Sequence, residues 1–375
     1  MKILMISYTS LIQELYHGKP RAIAAIPEVD LTVLVSPYWK EFWSRGKQRL
    51  EARATESYSM EVAPILFAGN LHFAMFRKTI GRLIGELQPE IIDIEDEPFN
   101  AGSAQVVFLR NRHSPRSRIV MHASQNDFKR YPPPFNLFER YSLRNVQAFL
   151  ARSGEAMEVL RRKGFAGPIE VISHGVDTDL FAHRKEEAKK SLGLDRHPVI
   201  GFVGSFVHHK GLDILLKATQ GLNCRVLLVG DGAEKESLMQ LARELDMEER
   251  VILHPPVLHR EIPRVMAAMD VFVLPSRTAR NWREKFGRVL IEAMAAGVPV
   301  VGSLSGEIPN VLADAGLTFP EEDADSLCKH LQRLLSDPVL RVEIGRKGRE
   351  RAENNYSWKG LAARTYDVYK RVLGE

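Results

Sequence analysis

Short apolar runs alternate with segments of helical periodicity along almost the whole chain, and this alternation constrains the fold more than any other feature. Buried parallel strands are short continuous apolar runs, whereas the helices that cover them repeat apolar residues every three or four positions. The strand candidates are Ile3–Ile6, Leu31–Val35, Ile91–Ile94, Ile119–Met121, Phe149–Ala151, Val199–Val203, Arg225–Val229, Val251–Leu253, Val271–Leu274 and Val298–Val301. The pattern predicts an α/β protein with two doubly wound, Rossmann-like units.

The length of the chain also indicates two domains. Its 375 residues exceed the roughly 250 to 300 that one hydrophobic core usually serves. A turn-rich stretch from Ile172 to Phe181 follows the fifth strand candidate and precedes a charged helix. We therefore expect an N-terminal domain over residues 1–174 and a C-terminal domain over residues 175–356, followed by a helix over residues 357–375.

The excess of positive charge lies in the first half. Residues 1–170 contain 23 Lys and Arg against 18 Asp and Glu, and the remainder contains 29 of each. A basic surface suits an anionic membrane, an acidic acceptor or nucleic acid, although many such surfaces are only solvated. We favour a membrane contact over nucleic acid because aromatic and basic residues are neighbours in this half: Trp39, Phe42, Trp43, Phe73 and Phe76 beside Arg45, Lys47, Arg49, Arg77 and Lys78.

Cysteine content and the apolar stretches predict a cytoplasmic protein, with the inner face of the membrane as the place of any peripheral contact. Cys224 and Cys328 are too few for a disulfide framework. The first ten residues lack a long apolar core and a small-residue cleavage site. The longest apolar stretch, Val289 to Val301, is interrupted by Glu292 and is shorter than the ~18 residues of a membrane span.

Two glycine-containing loops follow strand candidates of the second half. Gly204 and Ser205 open a loop that ends in Lys210 and Gly211, where a helix begins. Backbone N–H groups at a helix start with a lysine beside them suit a diphosphate. Gly230 and Gly232 form the start of a dinucleotide fingerprint, but Lys235 occupies the third glycine position, which disfavours NAD.

Two glutamates of the second half are candidates for binding sugar hydroxyls. Glu292 lies in a helix that is apolar almost all round, where a carboxylate needs partners such as a ribose diol. Glu284 precedes that helix, at the loop where its N–H groups emerge. A structural acid bonded to neighbouring backbone is the alternative for Glu292.

In the first half, His122 follows a strand candidate at its carboxyl end, where α/β sheets bind ligands, so it is a candidate for contact with a transferred sugar. A loop histidine without function is the alternative. The acidic groups Asp177 with Asp179 and Asp93 to Glu97 carry no histidine at ligand spacing. We therefore predict no metal site.

Taken together, these segments resemble the family 4 retaining glycosyltransferases, which have the GT-B fold of two Rossmann-like domains facing across a cleft. The resembling motifs are Val199-Ile-Gly-Phe-Val-Gly204, Lys210-Gly211, Val229-Gly-Asp-Gly232, Asp270 to Ser276, Glu284 with Glu292, and Gly297-Val-Pro-Val-Val301. Weaker similarity covers Gly175-Val-Asp177 and the helix after Tyr356, which in this family returns to the N-terminal domain.

The resemblance implies a sugar donor linked to UDP or GDP, no other cofactor, and a glycan, lipid-linked or small-molecule acceptor. It implies that His122, Lys210 and Glu284 serve catalysis. It places donor binding on Gly204, Ser205, Lys210, Gly230, Phe286, Gly287, Arg288 and Glu292. Ser205 departs from the family, which often has arginine there, so Lys210 needs a further partner at the diphosphate.

Two other readings remain open from the sequence. One is a nucleotide-sugar epimerase or phosphorylase of the same fold, and a phosphorylase would require a pyridoxal-bearing lysine that no segment indicates. The other is a non-catalytic protein that binds nucleotide sugars. Turnover on an acceptor separates both from a transferase.

Overall fold

The computed structural model describes residues 1–8, 17–40, 47–50, 57–77, 79–194, 197–280 and 282–375. These residues form two compact units. Unit 1 comprises Met1–Ser173 together with Trp358–Glu375, and unit 2 comprises His174–Ser357. The observed divisions lie one residue away from the predicted boundaries at 174/175 and 356/357.

Unit 1 is built on a seven-stranded parallel sheet. The strands of the unit are β1 (Lys2–Ser7), β2 (Asp30–Val35), β3 (Tyr38–Lys40), β4 (Lys47–Arg49), β5 (Ser59–Val62), β6 (Ile65–Leu66), β7 (Met75–Phe76), β8 (Ile91–Ile94), β9 (Arg118–Ala123), β10 (Ala148–Ala151) and β11 (Ile169–Val171). The sheet order is β11-β10-β9-β8-β1-β2-β5, while β3 with β4 and β6 with β7 form antiparallel pairs.

Helices cover the sheet of unit 1. They include α1 (Gly18–Ala24), α2 (Thr79–Leu87), α3 (Ala101–His113), α4 (Phe135–Asn145) and α5 (Gly154–Arg162). Burial on both faces explains why β1 is continuously apolar, with Ile3 to Ile6 all inaccessible to solvent. The five strands predicted in this half correspond to β1, β2, β8, β9 and β10.

Unit 2 contains a six-stranded parallel sheet in the order β14-β13-β12-β15-β16-β17. Its strands are β12 (Val199–Val203), β13 (Arg225–Val229), β14 (Val251–His254), β15 (Val271–Leu274), β16 (Val300–Ser303) and β17 (Leu317–Phe319). The order reverses direction beside β12, which creates the switch point at which doubly wound sheets bind ligands.

The helices of unit 2 enclose this sheet. They are α6 (Lys185–Ser191), α7 (Leu212–Thr219), α8 (Lys235–Glu244), α9 (Ile262–Ala267), α10 (Arg288–Ala295), α11 (Ile308–Leu312), α12 (Ala324–Ser336) and α13 (Pro338–Arg351). Among the described residues of the whole chain, no helix combines the length and the apolar content that a bilayer crossing requires.

The last helix, α14 (Trp358–Leu373), returns to unit 1. Its Leu361, Val368 and Tyr369 are buried in one apolar cluster with Ile3 and Met5 of β1. The Trp358 ring lies against Gly18, where an added Cβ would come within 2.1 Å of the indole nitrogen. Unit 1 is therefore completed by residues from both ends of the sequence.

Candidate functional site

The glycines at the carboxyl ends of β12 and β13 allow two loops to touch. Gly204 and Gly230 have φ angles of +154° and +149°, in the region that favours glycine. A Cβ at Gly230 would lie 1.9 Å from the Gly204 carbonyl oxygen. The two glycines therefore allow the backbones of the loops after β12 and β13 to pack closely at this edge of the sheet.

A cavity of about 290 Å³ opens beside these glycines. Its walls are mostly apolar side chains and peptide groups, contributed by Val203, Gly204, Ser205, Val229, Gly230, Asp231, Pro256, Val257 and Ile262. Apolar walls with a few polar groups at the edge suit a flat heteroaromatic ring. Ser205, which replaces the expected arginine, lines this cavity with a hydroxyl and no charge.

Lys210 and Glu284 meet near the start of α7. The Lys210 ammonium lies 2.6 Å from Glu284 Oε2, and the Ser276 hydroxyl donates to the same oxygen at 3.1 Å. The ammonium also lies 5.1 Å from the centre of the Trp282 ring. This arrangement places a cation, a carboxylate and an aromatic face together, a combination that can bind both phosphate and sugar groups.

The loop after β16 holds the Glu284 segment in place. The Glu307 N–H donates to the Glu284 carbonyl at 3.0 Å. A Cβ at Gly306, whose φ is +53°, would lie 2.0 Å from that carbonyl oxygen. Gly306 is therefore required by contact with the Glu284 backbone.

The start of α10 presents the next group of predicted residues. Gly287 precedes the helix with a φ of +73°, and Arg288 is its first residue. Phe286 is buried, with the His174 and Tyr356 rings at centroid distances of 5.2 and 5.8 Å. A helix N-terminus at this point favours negative charge on a ligand.

Glu292 is a buried carboxyl group whose negative charge is only weakly stabilised by neighbouring positive charge. Its side chain is 6% exposed, with Arg288 Nε at 3.7 Å and His259 Nδ1 at 3.9 Å from Glu292 Oε1. Burial raises the pKa of Glu292 to about 7, against a smaller opposing effect of Arg288. A buried acid with such a shift is typical of a functional site.

In unit 1, His122 belongs to a charged cluster that the sequence did not predict. Its Nε2 lies 2.6 Å from the Lys19 ammonium, which also binds Asp93 Oδ2 at 2.7 Å and Glu95 Oε1. The Arg152 guanidinium donates to Glu95 Oε2 at 2.7 Å. Burial and the Lys19 charge lower the pKa of His122 to about 4, although Glu95 acts in the opposite direction.

This cluster shows that the prediction of no metal site at Asp93 to Glu97 has a wrong premise, namely that no histidine lies near these acidic residues. Sequence spacing showed no histidine there, but the fold brings His122, Asp93 and Glu95 together, with ligand atoms within 4.8 Å of one another. The Lys19 ammonium bonds all three residues. The other acidic pair has a local role, because the Asp177 carboxylate accepts from the Asp179 N–H at 3.2 Å.

Two of the aromatic residues predicted to contact a membrane are buried in the structure. Trp39 is 8% exposed and Phe76 is fully buried, so neither can contact a bilayer. Phe42, Trp43, Arg45 and Lys78 lie outside the described residues, as do the side chains of Lys47 and Arg49. Of the predicted set, Phe73 and Arg77 are exposed.

Two parallel Rossmann-like sheets, with glycine loops at the carboxyl edge of the second and a buried acid in the helix α10 of that unit, are typical of nucleotide-binding α/β proteins. The chain matches the model of the family "Glycosyl transferases group 1" over residues 184–351. It matches the model of "Glycosyltransferase Family 4" over residues 42–180. The chain therefore belongs to the family 4 glycosyltransferases.

Curated relatives and solved structures agree with this assignment. A GDP-mannose-dependent alpha-(1-6)-phosphatidylinositol monomannoside mannosyltransferase of Mycolicibacterium smegmatis is 34% identical over 217 residues, 54% of this chain and 57% of the relative. A D-inositol 3-phosphate glycosyltransferase of Corynebacterium aurimucosum is 32% identical over 55% of this chain and 52% of the relative. The matches thus span little more than half the length of either relative.

Among solved structures, a sucrose-phosphate synthase from Thermosynechococcus elongatus has a TM-score of 0.74 at 20% identity, with 100% of this chain and 99% of that one covered. Anabaena HepE in complex with UDP has a TM-score of 0.71 at 19% identity, with 99% and 100% covered. At these identities the likeness shows the fold alone, which is GT-B.

Proposed function

We propose that the protein is a retaining glycosyltransferase that moves a sugar from a nucleoside diphosphate to an acceptor hydroxyl. The observation that carries the proposal is that unit 2 contains the glycine-bounded cavity, the Lys210–Glu284 pair and the buried Glu292. The family assignment and the donors named for relatives, GDP-mannose among them, support it. No observation favours an epimerase or a non-catalytic binder.

Each part of this site suits one part of the donor. The apolar cavity suits the base, and ionised Glu292 suits the ribose diol, whose two hydroxyls can donate to a carboxylate. Lys210 and the starts of α7 and α10 suit the diphosphate. Glu284 suits hydroxyls of the sugar that is transferred.

The reaction that these residues would serve needs stabilisation of a leaving group. The bond between the anomeric carbon and a diphosphate oxygen breaks, and the acceptor oxygen bonds to that carbon on the same face. The acceptor proton leaves with the diphosphate. Fixed positive groups stabilise the charge that grows on the diphosphate without reorganisation of solvent. Because these groups belong to the chain, we propose that transfer needs no divalent cation.

The test is a panel of UDP- and GDP-linked sugars, first by thermal shift and then with glycan, lipid-linked and small-molecule acceptors. A donor at ~100 times its dissociation constant should stabilise the protein by ~2.7 kcal/mol. NMR of the product should show the anomeric configuration of the donor. Absence of stabilisation by every donor would contradict the proposal, and an inverted product would contradict retention.

For the acceptor side, we propose that unit 1 contacts an anionic membrane through an apolar hairpin surface. This surface comprises Leu66, Phe67, Leu71 and Phe73 around the β6–β7 hairpin and Leu137 of α4, which are 37% to 61% exposed. The Phe73 ring packs on Phe135 of α4 at a centroid distance of 5.0 Å, which joins the hairpin and the helix.

Exposed cations flank this surface and suit acidic lipid headgroups. Arg77 donates its N–H to the Pro64 carbonyl beside the hairpin, and Lys129 and Arg130 precede the start of α4. Exposed apolar residues among cations are typical of proteins that lie on a membrane. Of the three acceptor classes expected from the sequence, glycan, lipid-linked and small-molecule, this contact favours a lipid-linked acceptor.

Vesicle partitioning tests this contact. Binding to phosphatidylglycerol-containing vesicles should exceed binding to neutral phosphatidylcholine vesicles and should weaken with salt. The double variant Phe67→Ser, Leu71→Ser should lose about 3 kcal/mol of binding energy, roughly 100-fold in partition, at ~1.5 kcal/mol per apolar side chain. Its matched control is Val339→Ser, Val342→Ser in unit 2, where both residues are more than 70% exposed. Equal loss in both variants, or no loss in the first, would refute the surface.

A further inference from the structure

We propose that Lys19 is a positioning residue that holds His122 as a neutral imidazole with its proton on Nδ1. The Nδ1–H is then the hydrogen bond donor that the ring presents to a sugar hydroxyl. Only this last step rests on the proposed function. Lys19 lies on α1, 103 residues before His122 in sequence, and no motif connects the two.

The first argument is a count of protons on Lys19. An ammonium group has three N–H donors and no acceptor. The Lys19 ammonium has three partners, namely Asp93 Oδ2, Glu95 Oε1 and His122 Nε2. Its side chain is 7% exposed, so water is largely excluded. The third N–H therefore requires a lone pair on His122 Nε2.

The opposite tautomer conflicts with this geometry. A proton on Nε2 would have Glu95 Oε1 at 3.1 Å and Asp93 Oδ1 at 3.4 Å as acceptors. It would also face the Lys19 ammonium, which is nearer, at 2.6 Å. Two N–H groups directed at each other over that distance repel, so the proton belongs on Nδ1.

The charges of the cluster give an independent argument for a neutral ring. The carboxylates of Asp93 and Glu95 face the cations Lys19 and Arg152, so the cluster is balanced without an imidazolium. Tyr369 of α14 donates its hydroxyl proton to Asp93 Oδ2 at 2.6 Å, which further stabilises that carboxylate. A third buried cation would be uncompensated.

The remaining ring nitrogen then has a defined role. His122 Nδ1 is buried and has no hydrogen-bond partner among the described residues. A buried N–H without an acceptor is destabilising, so such a group usually bonds a ligand or water. His122 lies near the carboxyl end of β9, the edge at which α/β sheets bind ligands. A sugar hydroxyl oxygen is the acceptor that the proposed function supplies.

The decisive experiment is nitrogen NMR of the full chain with ¹⁵N-labelled histidine. The chain has 12 histidines, so the His122 signals are assigned by their loss in His122→Asn. We expect the wild-type protein at pH 7 to show a protonated Nδ1 and a lone pair on Nε2. A protonated Nε2, or an imidazolium, would overturn the proposal without any variant.

Two variants separate positioning from general stability. Lys19→Met should put a proton on Nε2, where Glu95 accepts it, either as the Nε2–H tautomer or, because one buried cation is lost, as an imidazolium. It should lower kcat about tenfold, as expected for one lost hydrogen bond. Its affinity for free nucleoside diphosphate should not change. Tyr369→Phe removes the neighbouring hydrogen bond to Asp93 but leaves all three partners of Lys19, so its tautomer should match the wild type. An Nε2 that stays unprotonated in Lys19→Met, or a changed tautomer in Tyr369→Phe, would refute the assignment.

Failure of the proposed function gives a different result. If the protein binds no nucleotide sugar but His122 carries its proton on Nδ1, the tautomer assignment stands and the transferase proposal fails. If transfer occurs and the proton is on Nε2, the transferase proposal stands and the tautomer assignment fails.

Discussion

The substitution Glu292→Gln should make the protein more stable at alkaline pH while it weakens donor binding. Glutamine keeps the size of the side chain and removes the charge that burial disfavours. A purely structural acid would behave in the opposite way, because its loss would cost stability and leave binding unchanged. The same change therefore distinguishes the two roles that the sequence left open for Glu292.

The magnitude follows from the pKa. Burial raises the pKa of Glu292 from about 4.5 to about 7. A group whose pKa is higher in the folded state contributes stability below its unfolded pKa, and that contribution is lost as pH rises through the folded value. The difference of about 2.5 in pKa corresponds to about 3 kcal/mol at pH 8. Glutamine should recover up to that amount at pH 8 and almost none of it at pH 4.

The assay is urea denaturation of both proteins at pH 4, 6 and 8, beside titration with the free nucleoside diphosphate. The loss of charge-assisted hydrogen bonds to the ribose should weaken binding at pH 8 by about 10- to 150-fold, or roughly 1.5 to 3 kcal/mol. The phosphates of the ligand titrate in the same way in both experiments. The ratio of the two affinities at each pH therefore reports the effect of Glu292 alone. Unchanged affinity together with lower stability at pH 8 would refute the ribose assignment.

Further predictions concern the rest of the unit 2 site. Glu284→Gln should lower kcat more than it raises KM, because contacts to the transferred sugar change most in the transition state, and steady-state kinetics measures this. Equal effects on both constants would contradict that role. Gly230→Ala should lower the free energy of unfolding by at least 1 kcal/mol, because its φ of +149° is strained for alanine and its Cβ would meet the Gly204 carbonyl. If Gly230→Ala is as stable as the wild type, Gly230 does not lie against the Gly204 carbonyl. Excess EDTA should leave transfer unchanged, whereas rescue by Mg²⁺ or Mn²⁺ would show that a metal is needed.

The central strands were predictable, because buried parallel strands are continuous apolar runs. The strands of the two parallel sheets that the pattern missed lie at the sheet edges and carry polar residues. They are β5 with Ser59 and Glu61, β11 with Glu170, and β17 with Thr318. Edge strands are covered less completely, so their composition differs little from that of loops.

Most candidate residues of unit 2 could be named from sequence because they follow a strand or precede a helix, and Glu292 because it is an acid within an apolar helix. The carboxyl ends of parallel strands meet at one edge, so local position implies proximity. Lys19 and Tyr369 could not be named, because their partner Asp93 is 74 and 276 residues away and only the tertiary fold joins them. The exposure of Phe67 and Leu71 depends likewise on the orientation of a hairpin, which composition does not encode.

The return of α14 to unit 1 has a consequence for biosynthesis. Unit 2 is one continuous segment and can fold as soon as it is made, but unit 1 lacks α14 until the 184 residues from His174 to Ser357 have been translated. At ~5–20 residues per second this takes roughly 10 to 40 s. During that interval the face of the sheet around Ile3 and Met5 has no cover from Leu361, Val368 and Tyr369. The first half of the nascent protein thus exposes an apolar surface for much of its synthesis. We expect chaperones to bind mainly to this half.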